Sequence, residues 1–529
     1  MSAGRQDGVL SSDPQGLAQA MADEAEQRAS AGRLLSGTLW NAAGRGLPLL
    51  LALALTPVLV QQMGIERWGL FTLALALVGV FGVFDLGIGA ALTRALSARI
   101  GAGQKDGAAE LAGAAITALV LFSIAIAAIG FALMPLLVQR VLNTPPELQA
   151  EAVAAFRLLC VAAPLVVMNS ALWGALAAYQ RFRAANLVTI PVSTFYYLGP
   201  VLVLLVWQSL VGVILVLLAC RLANTIAYGW LARRDLPGLG PVLPRWTLVG
   251  PLVRMGGWMS ASGILTQTLL YADRFLIGAL LTLAAVAFYA TPLDLVMRMW
   301  ILPVAIAQAM MPAMASSYLS HPPIAAGLLR RGTLLMMLAT LPACLLLVAS
   351  GPWLLELWLG AEFAAGGGRV LQILAVGVFF SCVVFAPSGL IDSIGHPKVN
   401  AIWQLAQMAV FLPLSAVLLL WLGIEGAAAA WAARCAVDVA GRLVLAGRLF
   451  PPAAAAARAL ALPLAIGGAG LAAMLAFTGA PALAAVGLLT LVGFALAIPA
   501  VLTPSERRNA RGLLRRPWRL RAVLKGEPA

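Results

Sequence analysis

Charged side chains at one-turn spacing lie inside strongly apolar stretches of this chain. Asp294 and Arg298 stand four residues apart, and Arg434, Asp438 and Arg442 repeat that interval twice. On an α-helix, residues four apart share one face. Asp273, Arg274 and Arg254 fall in a further apolar run, Arg221 in another, Arg45 and Asp85 in two more. A charge surrounded by hydrocarbon is expensive unless it meets a partner or a watery cavity. Two chemistries therefore compete. Asp294 could neutralise Arg298, and Asp438 could sit between two arginines, as internal packing. Alternatively, unpaired guanidinium groups line a net-positive cavity. Arginine suits phosphate, because its planar fork donates two parallel hydrogen bonds and stays charged. On that second reading Arg221, Arg298 and Arg434 are contacts for an anionic headgroup, with Arg45 and Arg254 at the inner mouth. Asp85, Asp273, Asp294 and Asp438 are then the groups able to carry a coupling proton or sodium ion. Left unpaired, each would have a raised pKa; paired with arginine it stays ionised.

Other chemistries lack material. The only histidines, His321 and His396, fall in links, and the five cysteines form no CxxC pair. The cysteines read as small core residues. Neither a metal site nor a catalytic triad is expected, and no bond-making activity. The formal charge of +14 raises the question of nucleic acid. The basic residues gather at the ends of alternate apolar runs instead of forming a basic face with stacking aromatics, so nucleic-acid binding is not expected.

The elements that must position these charges are membrane helices. The 529 residues are 62% hydrophobic and only 11% charged, with mean hydropathy +0.94. Soluble proteins carry about 25% charged residues. Repeated runs of roughly 20 apolar residues predict a polytopic all-α membrane protein. A β-barrel would require alternating polarity for its lumen.

Fourteen spans are expected, starting with Leu35–Val60 and Trp68–Leu92 and ending with Leu460–Phe477 and Leu483–Leu502. Links after even-numbered helices hold the arginines and lysines; links after odd-numbered helices are neutral or acidic. The positive-inside rule then puts both termini in the cytoplasm. Residues 1–33 form a polar N-terminal tail and 504–529 a basic C-terminal tail, which can rest on anionic lipid. A Pro- and Gly-rich joint at 233–250 separates a first lobe, 34–232, from a second, 251–450; residues 451–503 supply two further helices. Prolines such as Pro164, Pro191, Pro200, Pro292, Pro303 and Pro312 interrupt spans, which suits helices that bend.

The lobes echo each other. A shift of 218 residues superposes Trp40 on Trp258, Leu70-Phe71 on Phe288-Tyr289, and Gly87-Ile88 on Ala305-Ile306. GALAAYQRFRAAN (Gly174 to Asn186) echoes GLIDSIGHPKVNA (Gly389 to Ala401) at a slightly smaller offset. Six helices per repeat is an even number, so the repeats share one orientation. A site is expected between two six-helix lobes, around a central cavity.

ERWGLFTLALALVGVFGVFDLGIGAALTRALS (Glu66 to Ser97) resembles the second-helix signature of bacterial polysaccharide flippases. YADRFLIGALLTLAAVAFYATPLDLVMRMWILPVAIAQAMMPAMAS (Tyr271 to Ser316) is similar to their seventh and eighth helices, and GLIDSIGHPKVNA to their tenth-to-eleventh turn. The likeness covers about Leu34 to Phe450 and points to the multidrug/oligosaccharidyl-lipid/polysaccharide exporter superfamily. It implies alternating access in the bacterial inner membrane. It also implies a substrate of undecaprenyl-pyrophosphate carrying an oligosaccharide, and coupling to a proton or sodium gradient. The polysaccharide polymerase and chain-length machinery become possible partners. A lipid II flippase of the same superfamily is a neighbouring reading, although Arg45 is the only basic residue within helix 1. A multidrug extruder fits less well with the arginine excess. A membrane polymerase or glycosyltransferase would carry a large outer loop.

Overall fold

In a computed structural model, residues 46, 48–83, 88–102, 107–503 and 506–508 are described; within these, the side chains of 83, 90, 101 and 253–262 are not. Arg45 and Asp85, and the side chain of Arg254, lie outside the described residues.

Among the described residues the structure is helical, without a strand. The first lobe contains α1 (Pro48–Met63), α2 (Ile65–Val83), α3 (Ile88–Gly101), α4 (Ala108–Leu136), α5 (Pro146–Ala178), α6 (Phe182–Leu204) and α7 (Leu210–Asp235). The second contains α8 (Trp246–Leu280), α9 (Leu283–Met297), α10 (Ile301–Ser317), α11 (Pro322–Leu359), α12 (Ala361–Val383), α13 (Phe385–Ser393) and α14 (Pro397–Leu449). Two more follow, α15 (Ala454–Met474) and α16 (Ala480–Val501). Eleven helical segments among the described residues are long and apolar enough to cross a bilayer. Their outward side chains include Leu346, Leu489 and Leu496, each more than two-thirds exposed, which is tenable only against lipid.

Local chemistry sets the ends and breaks. Ser209 and Thr282 cap α7 and α9 by accepting from the backbone N–H of Val211 and Ala285, and prolines open α5, α11 and α14, where the missing N–H is harmless. Several spans run further into their links than the apolar pattern alone suggests. The ninth was expected at Thr333–Ser350 but forms Pro322–Leu359, because Ala325, Ala326, Leu328, Leu329, Arg330 and Arg331 are good helix formers and the two prolines fit the first turn. The eighth was expected from Ala285 to Met311, interrupted at Pro292 and Pro303. The break is a 3₁₀ turn at Arg298–Trp300, ahead of Pro303. Pro303 cannot donate to the carbonyl of Met299 and its ring crowds that carbonyl, so the helix tightens there. Pro387 divides α12 from α13 in the same way. Within α14, Gly423 has φ 61 and ψ −150, a combination essentially reserved for glycine, and it splits the element in two.

The packing repeats between lobes. α5 lies against α4 and α7 in the first; α12 lies against α11 and α14 in the second. Where the lobes meet, contact is concentrated at one end. Trp68 Nε1 donates to Thr291 Oγ1 at 2.8 Å. Trp358 Nε1 reaches the carbonyl of Leu53 at 2.8 Å. Asn143 Nδ2 bonds the carbonyls of Ala279 and Leu281. Gly69 packs its backbone onto Leu283, leaving no room for a Cβ. Trp68, Gly69, Asn143, Leu281, Leu283 and Trp358 lie at or beside links that follow odd-numbered spans, and Leu53 and Thr291 lie within about three turns of them. One apolar core crosses the lobes there, joining Leu59, Phe71 and Phe156 to Leu283, Tyr289 and Phe363. At the opposite end each lobe keeps its own core. One holds Leu92, Leu96 and Leu176 with Leu252 of α8; the other holds Met314, Leu329 and Leu390. The molecule is therefore clasped at one end and parted at the other.

At the parted end α16 is tied back to α11. Glu506 accepts from the Thr503 backbone N–H and from Arg330 Nη2, at 2.8 and 2.7 Å, and also bonds Arg331. Partial burial would raise its pKa, but the hydrogen bonds from Thr503 and then the two arginines outweigh that and hold it at about 2, against 4.5 for the free side chain. A depressed carboxylate contributes stability above its unfolded pKa and loses it as pH falls through its folded pKa. The unfolding-temperature difference between wild type and Glu506→Gln should thus be constant above pH 4.5 and shrink as pH falls toward 2. A difference that ignores pH across this window would contradict the assignment.

Candidate functional site

The charges predicted along the chain gather into two adjoining clusters. The first lies between the lobes. Asp294 and Arg298 on α9 line a cavity of about 190 Å³ with Thr56 of α1, Trp68 of α2, Tyr196 and Tyr197 of α6, and Trp358 of α11. Asp294 does not pair with Arg298. Its ion pair is with Arg274 of α8, which donates through both Nη atoms. The rotation of α8 decides this: Arg274 is buried, with its side chain 3% exposed, and Asp294 is the carboxylate it meets. Arg298 is left exposed at the 3₁₀ turn beside Tyr197, with no ion pair among the described residues. Arg221, half-buried on α7, sits 5.8 Å from the ring of Tyr196 and so reaches the same cavity through that tyrosine.

The second cluster lies inside the second lobe. A pocket of about 170 Å³ is lined by Arg434, Asp438 and Arg442 of α14, Thr266 of α8, Trp300, and Ser388 of α13. Asp438 is not shared by two arginines. Its Oδ1 accepts from Arg442 Nε at 2.6 Å, Gln407 Nε2 at 2.7 Å and Trp403 Nε1 at 3.0 Å. Arg442, itself buried, also donates to Ser388 and Asn400. Arg434 has no carboxylate partner among the described residues. It lies 5.3 Å from the Phe411 ring, a favourable cation–π position, and its Nε is buried without an acceptor.

Asp273 and Arg274 join the clusters. Neighbours on a helix point about 100° apart. Arg274 turns to Asp294 and the interlobe cavity, while Asp273 turns inward, fully buried. One of its oxygens accepts from Tyr289 at 2.9 Å; the other has no partner. Among the described residues no three His, Cys, Asp or Glu side chains converge as a metal site.

Reading along the chain did not single out the tyrosines. Four of the seven in the protein, Tyr196, Tyr197, Tyr271 and Tyr289, collect around these charges. Tyr271 also packs over the bare backbone of Gly79 in α2, across the lobe boundary. Adjacent tyrosines within an apolar run were the available signal. Arg274 and Arg442 were visible only as members of charge stripes; their role as the partners of Asp294 and Asp438 depends on helix rotation.

The family described as "Polysaccharide biosynthesis protein" matches residues 34–318, more than half of the chain. The chain belongs to that family. This polysaccharide biosynthesis protein is 25% identical over 409 residues to a Shigella flexneri protein named "Putative O-antigen transporter", covering 77% of the chain and 96% of that protein. Its fold is that of two solved transporters. One is an inward-facing multidrug resistance MATE family transporter of the MOP superfamily, with TM-score 0.68, 15% identity, and coverage of 79% of this chain and 95% of that one. The other is the lipid II flippase MurJ in an inward closed conformation, with TM-score 0.65, 13% identity, and coverage of 87% and 98%. The all-α, two-lobed architecture expected from the repeat is thereby established.

The two arginines of α14 should behave oppositely. Asp438→Ala leaves Arg442 charged and buried, a loss of about 3–5 kcal/mol. Arg434→Ala breaks no ion pair among the described residues and removes only a longer-range attraction to Asp273, so it should cost clearly less than Asp438→Ala. Thermal unfolding in detergent distinguishes them. Asp438→Leu combined with Arg442→Met should recover most of the loss, since well-packed apolar replacements of a buried pair are often neutral.

Proposed function

We propose that the protein flips undecaprenyl-pyrophosphate-linked oligosaccharide units across the bacterial inner membrane for surface polysaccharide assembly. The observation that carries this reading is Arg298. Asp294 is claimed by Arg274, so a guanidinium stands unpaired in the cavity between the lobes. Membership of the family and likeness to the Shigella flexneri protein support the same reading. So does the alternating-access fold class of the two solved transporters.

With the basic links facing the cytoplasm, the fourteen expected spans place both termini there and the parted end inward. A pyrophosphate entering from the inner leaflet meets Arg298 and Arg221, with Arg434 behind. The sequence reading keeps Arg45 and Arg254, which lie outside the described side chains, as expected contacts at the mouth for an arriving negative headgroup. Fixed guanidinium groups replace water around the phosphates, which lowers the barrier for a polar headgroup in hydrocarbon. The lipid tail stays in the bilayer, and no bond is made or broken. A cavity of about 190 Å³ is smaller than ordinary ligand pockets of ~300–1,000 Å³. Sugars therefore need the lobes to part further, and the clasp around Trp68, Gly69 and Trp358 is what must open for outward release. Asp273 is the proposed coupling group, because among the described candidates it is the one fully buried with one oxygen unpartnered, whereas Asp438 and Asp294 are each held by an arginine; Asp85, outside the described residues, stays a candidate from the sequence. The polymerase and chain-length machinery are proposed recipients of the flipped lipid.

In a host lacking its own flippase, Arg298→Ala should cut surface polysaccharide roughly tenfold to a hundredfold, the value of a lost charge-assisted contact of about 1.5–3 kcal/mol. Lipid-linked intermediate should accumulate in the inner leaflet, with smaller effects for Arg221→Ala and Arg434→Ala. Wild-type export by all three variants would overturn the cavity proposal. Coupling is tested separately in vesicles. Transport by Asp273→Asn should no longer respond to an imposed proton or sodium gradient, and a normal response removes Asp273 as the carrier.

A further inference from the structure

Helix α15 creates a groove that the six-helix repeat by itself lacks. The second half of α14 and α15 enclose about 530 Å³ between them, lined by small residues such as Ala436, Ala440, Ala461 and Ala465. Neighbouring side chains on both helices, Val437, Val444 and Leu462, are more than half exposed, so the groove faces lipid. At one end it holds two arginines, Arg448 in the last turn of α14 and Arg458 near the start of α15. Both are exposed, and neither has an ion pair among the described residues. The helices close up at this same end, where a Cβ on Gly447 would lie 3.2 Å from Cα of Ala454.

The other lobe provides an internal comparison. In it, α7 is the sixth span, as the second half of α14 is in the second lobe, and lines a groove of about 570 Å³ with Ile226 and Gly229. There the cations are already engaged. Arg233 donates to the carbonyl of Leu239, and Arg234 stacks 3.6 Å from the Trp230 ring. Of these two grooves, the one between α14 and α15 pairs an apolar slot with two guanidinium groups that have no ion pair among the described residues.

We propose that this groove holds an anionic phospholipid, with one acyl chain along the alanine floor and its phosphate between Arg448 and Arg458. Small residues let a chain approach the helix backbones closely. Because lipid tails surround the protein everywhere, the apolar floor gives little preference by itself; the arginines supply selectivity for a negative headgroup. With the basic links facing the cytoplasm, the lipid comes from the inner leaflet. The site is separate from the interlobe cavity and stands whether or not that cavity carries the pyrophosphate.

Native mass spectrometry of the full chain, titrated with phosphatidylglycerol or phosphatidylcholine, tests this. Wild type should retain one phosphatidylglycerol in preference to phosphatidylcholine. Arg448→Ala with Arg458→Ala should weaken phosphatidylglycerol at least tenfold and leave phosphatidylcholine unchanged, while the paired lysine variants retain the preference. Ala461→Leu, which fills the floor without touching charge, should weaken it as well, with unfolding temperatures confirming that each variant is folded. Undiminished retention by the double alanine variant overturns the proposal. So does displacement by inorganic phosphate, which would show that the acyl chain plays no part, or by undecaprenyl phosphate at equal concentration, which would make the groove part of the substrate path.

Discussion

The ion pair between Arg274 and Asp294 decides how the rest of the charge is distributed. A guanidinium with 3% of its side chain exposed cannot be left without a counter-charge, since removing one partner of a buried pair costs several kcal/mol. Asp294 is the carboxylate it reaches, and Asp294 is also the group one turn before Arg298. By taking Asp294, Arg274 leaves Arg298 as an uncompensated cation in the cavity. The same three charges thus yield an ion pair buried at its arginine and open to the cavity at Asp294, and beside it a cation without an ion pair among the described residues. Had α8 been rotated so that Arg274 faced elsewhere, Asp294 and Arg298 would neutralise each other at i,i+4 and the cavity would hold no net charge.

Backbone geometry reinforces this assignment. Arg298 occupies the 3₁₀ turn that Pro303 imposes on the eighth span. The turn departs from regular helical spacing just where the side chain must reach past Asp294 toward Tyr197. Proline acts here through an absent hydrogen bond and a steric clash, not through flexibility. Tyr196 and Tyr197 on the facing lobe supply hydroxyls and ring edges against which arginines can lie without being neutralised. An aromatic ring attracts a guanidinium weakly, by about 0.5–2 kcal/mol, which holds it in place and leaves it able to exchange that contact for a phosphate.

How much of this was legible along the chain follows from the range of each interaction. Apolar runs, basic links and the 218-residue echo are properties of contiguous sequence, and the helices and the two-lobed fold follow from them. The stripe of Arg434, Asp438 and Arg442 was legible as one helix face for the same reason. Which arginine Asp438 keeps was not: Arg442 wins because Ser388 and Asn400, from two other stretches, satisfy its remaining donors. The Arg274–Asp294 pair likewise joins two helices across the α8–α9 link, and no local spacing rule links positions 20 apart. Proline-induced breaks were half legible. Pro303 was visible as an interruption, but its effect falls four residues upstream, on Arg298. The polar first turns of α5, and the Pro-, Gly- and Arg-bearing first turns of α11, were read as links because hydropathy and breaker residues mark the bilayer and not the helix.

Asp273 and Arg274 make α8 the element through which the two clusters communicate. Among the described residues, α8 and α9 are the elements of the second lobe that pack extensively on α2, whereas α10 to α16 make no extended contact with the helices α2 to α7. Any rocking of one lobe against the other therefore moves α8 and α9 relative to α2. Tyr271 rides on the backbone of Gly79 at that boundary, three residues from Arg274 and thus on nearly the same face. A shift at the boundary changes what Arg274 can reach, and the adjacent Asp273 moves with it inside the second lobe. Under the proposed coupling role of Asp273, a change of its charge would act in reverse, on the position of α8 and so on the hold of Arg274 upon Asp294. Such coupling would need no long relay of side chains: one turn of helix carries the buried acid on one side and the arginine that holds Asp294 on the other.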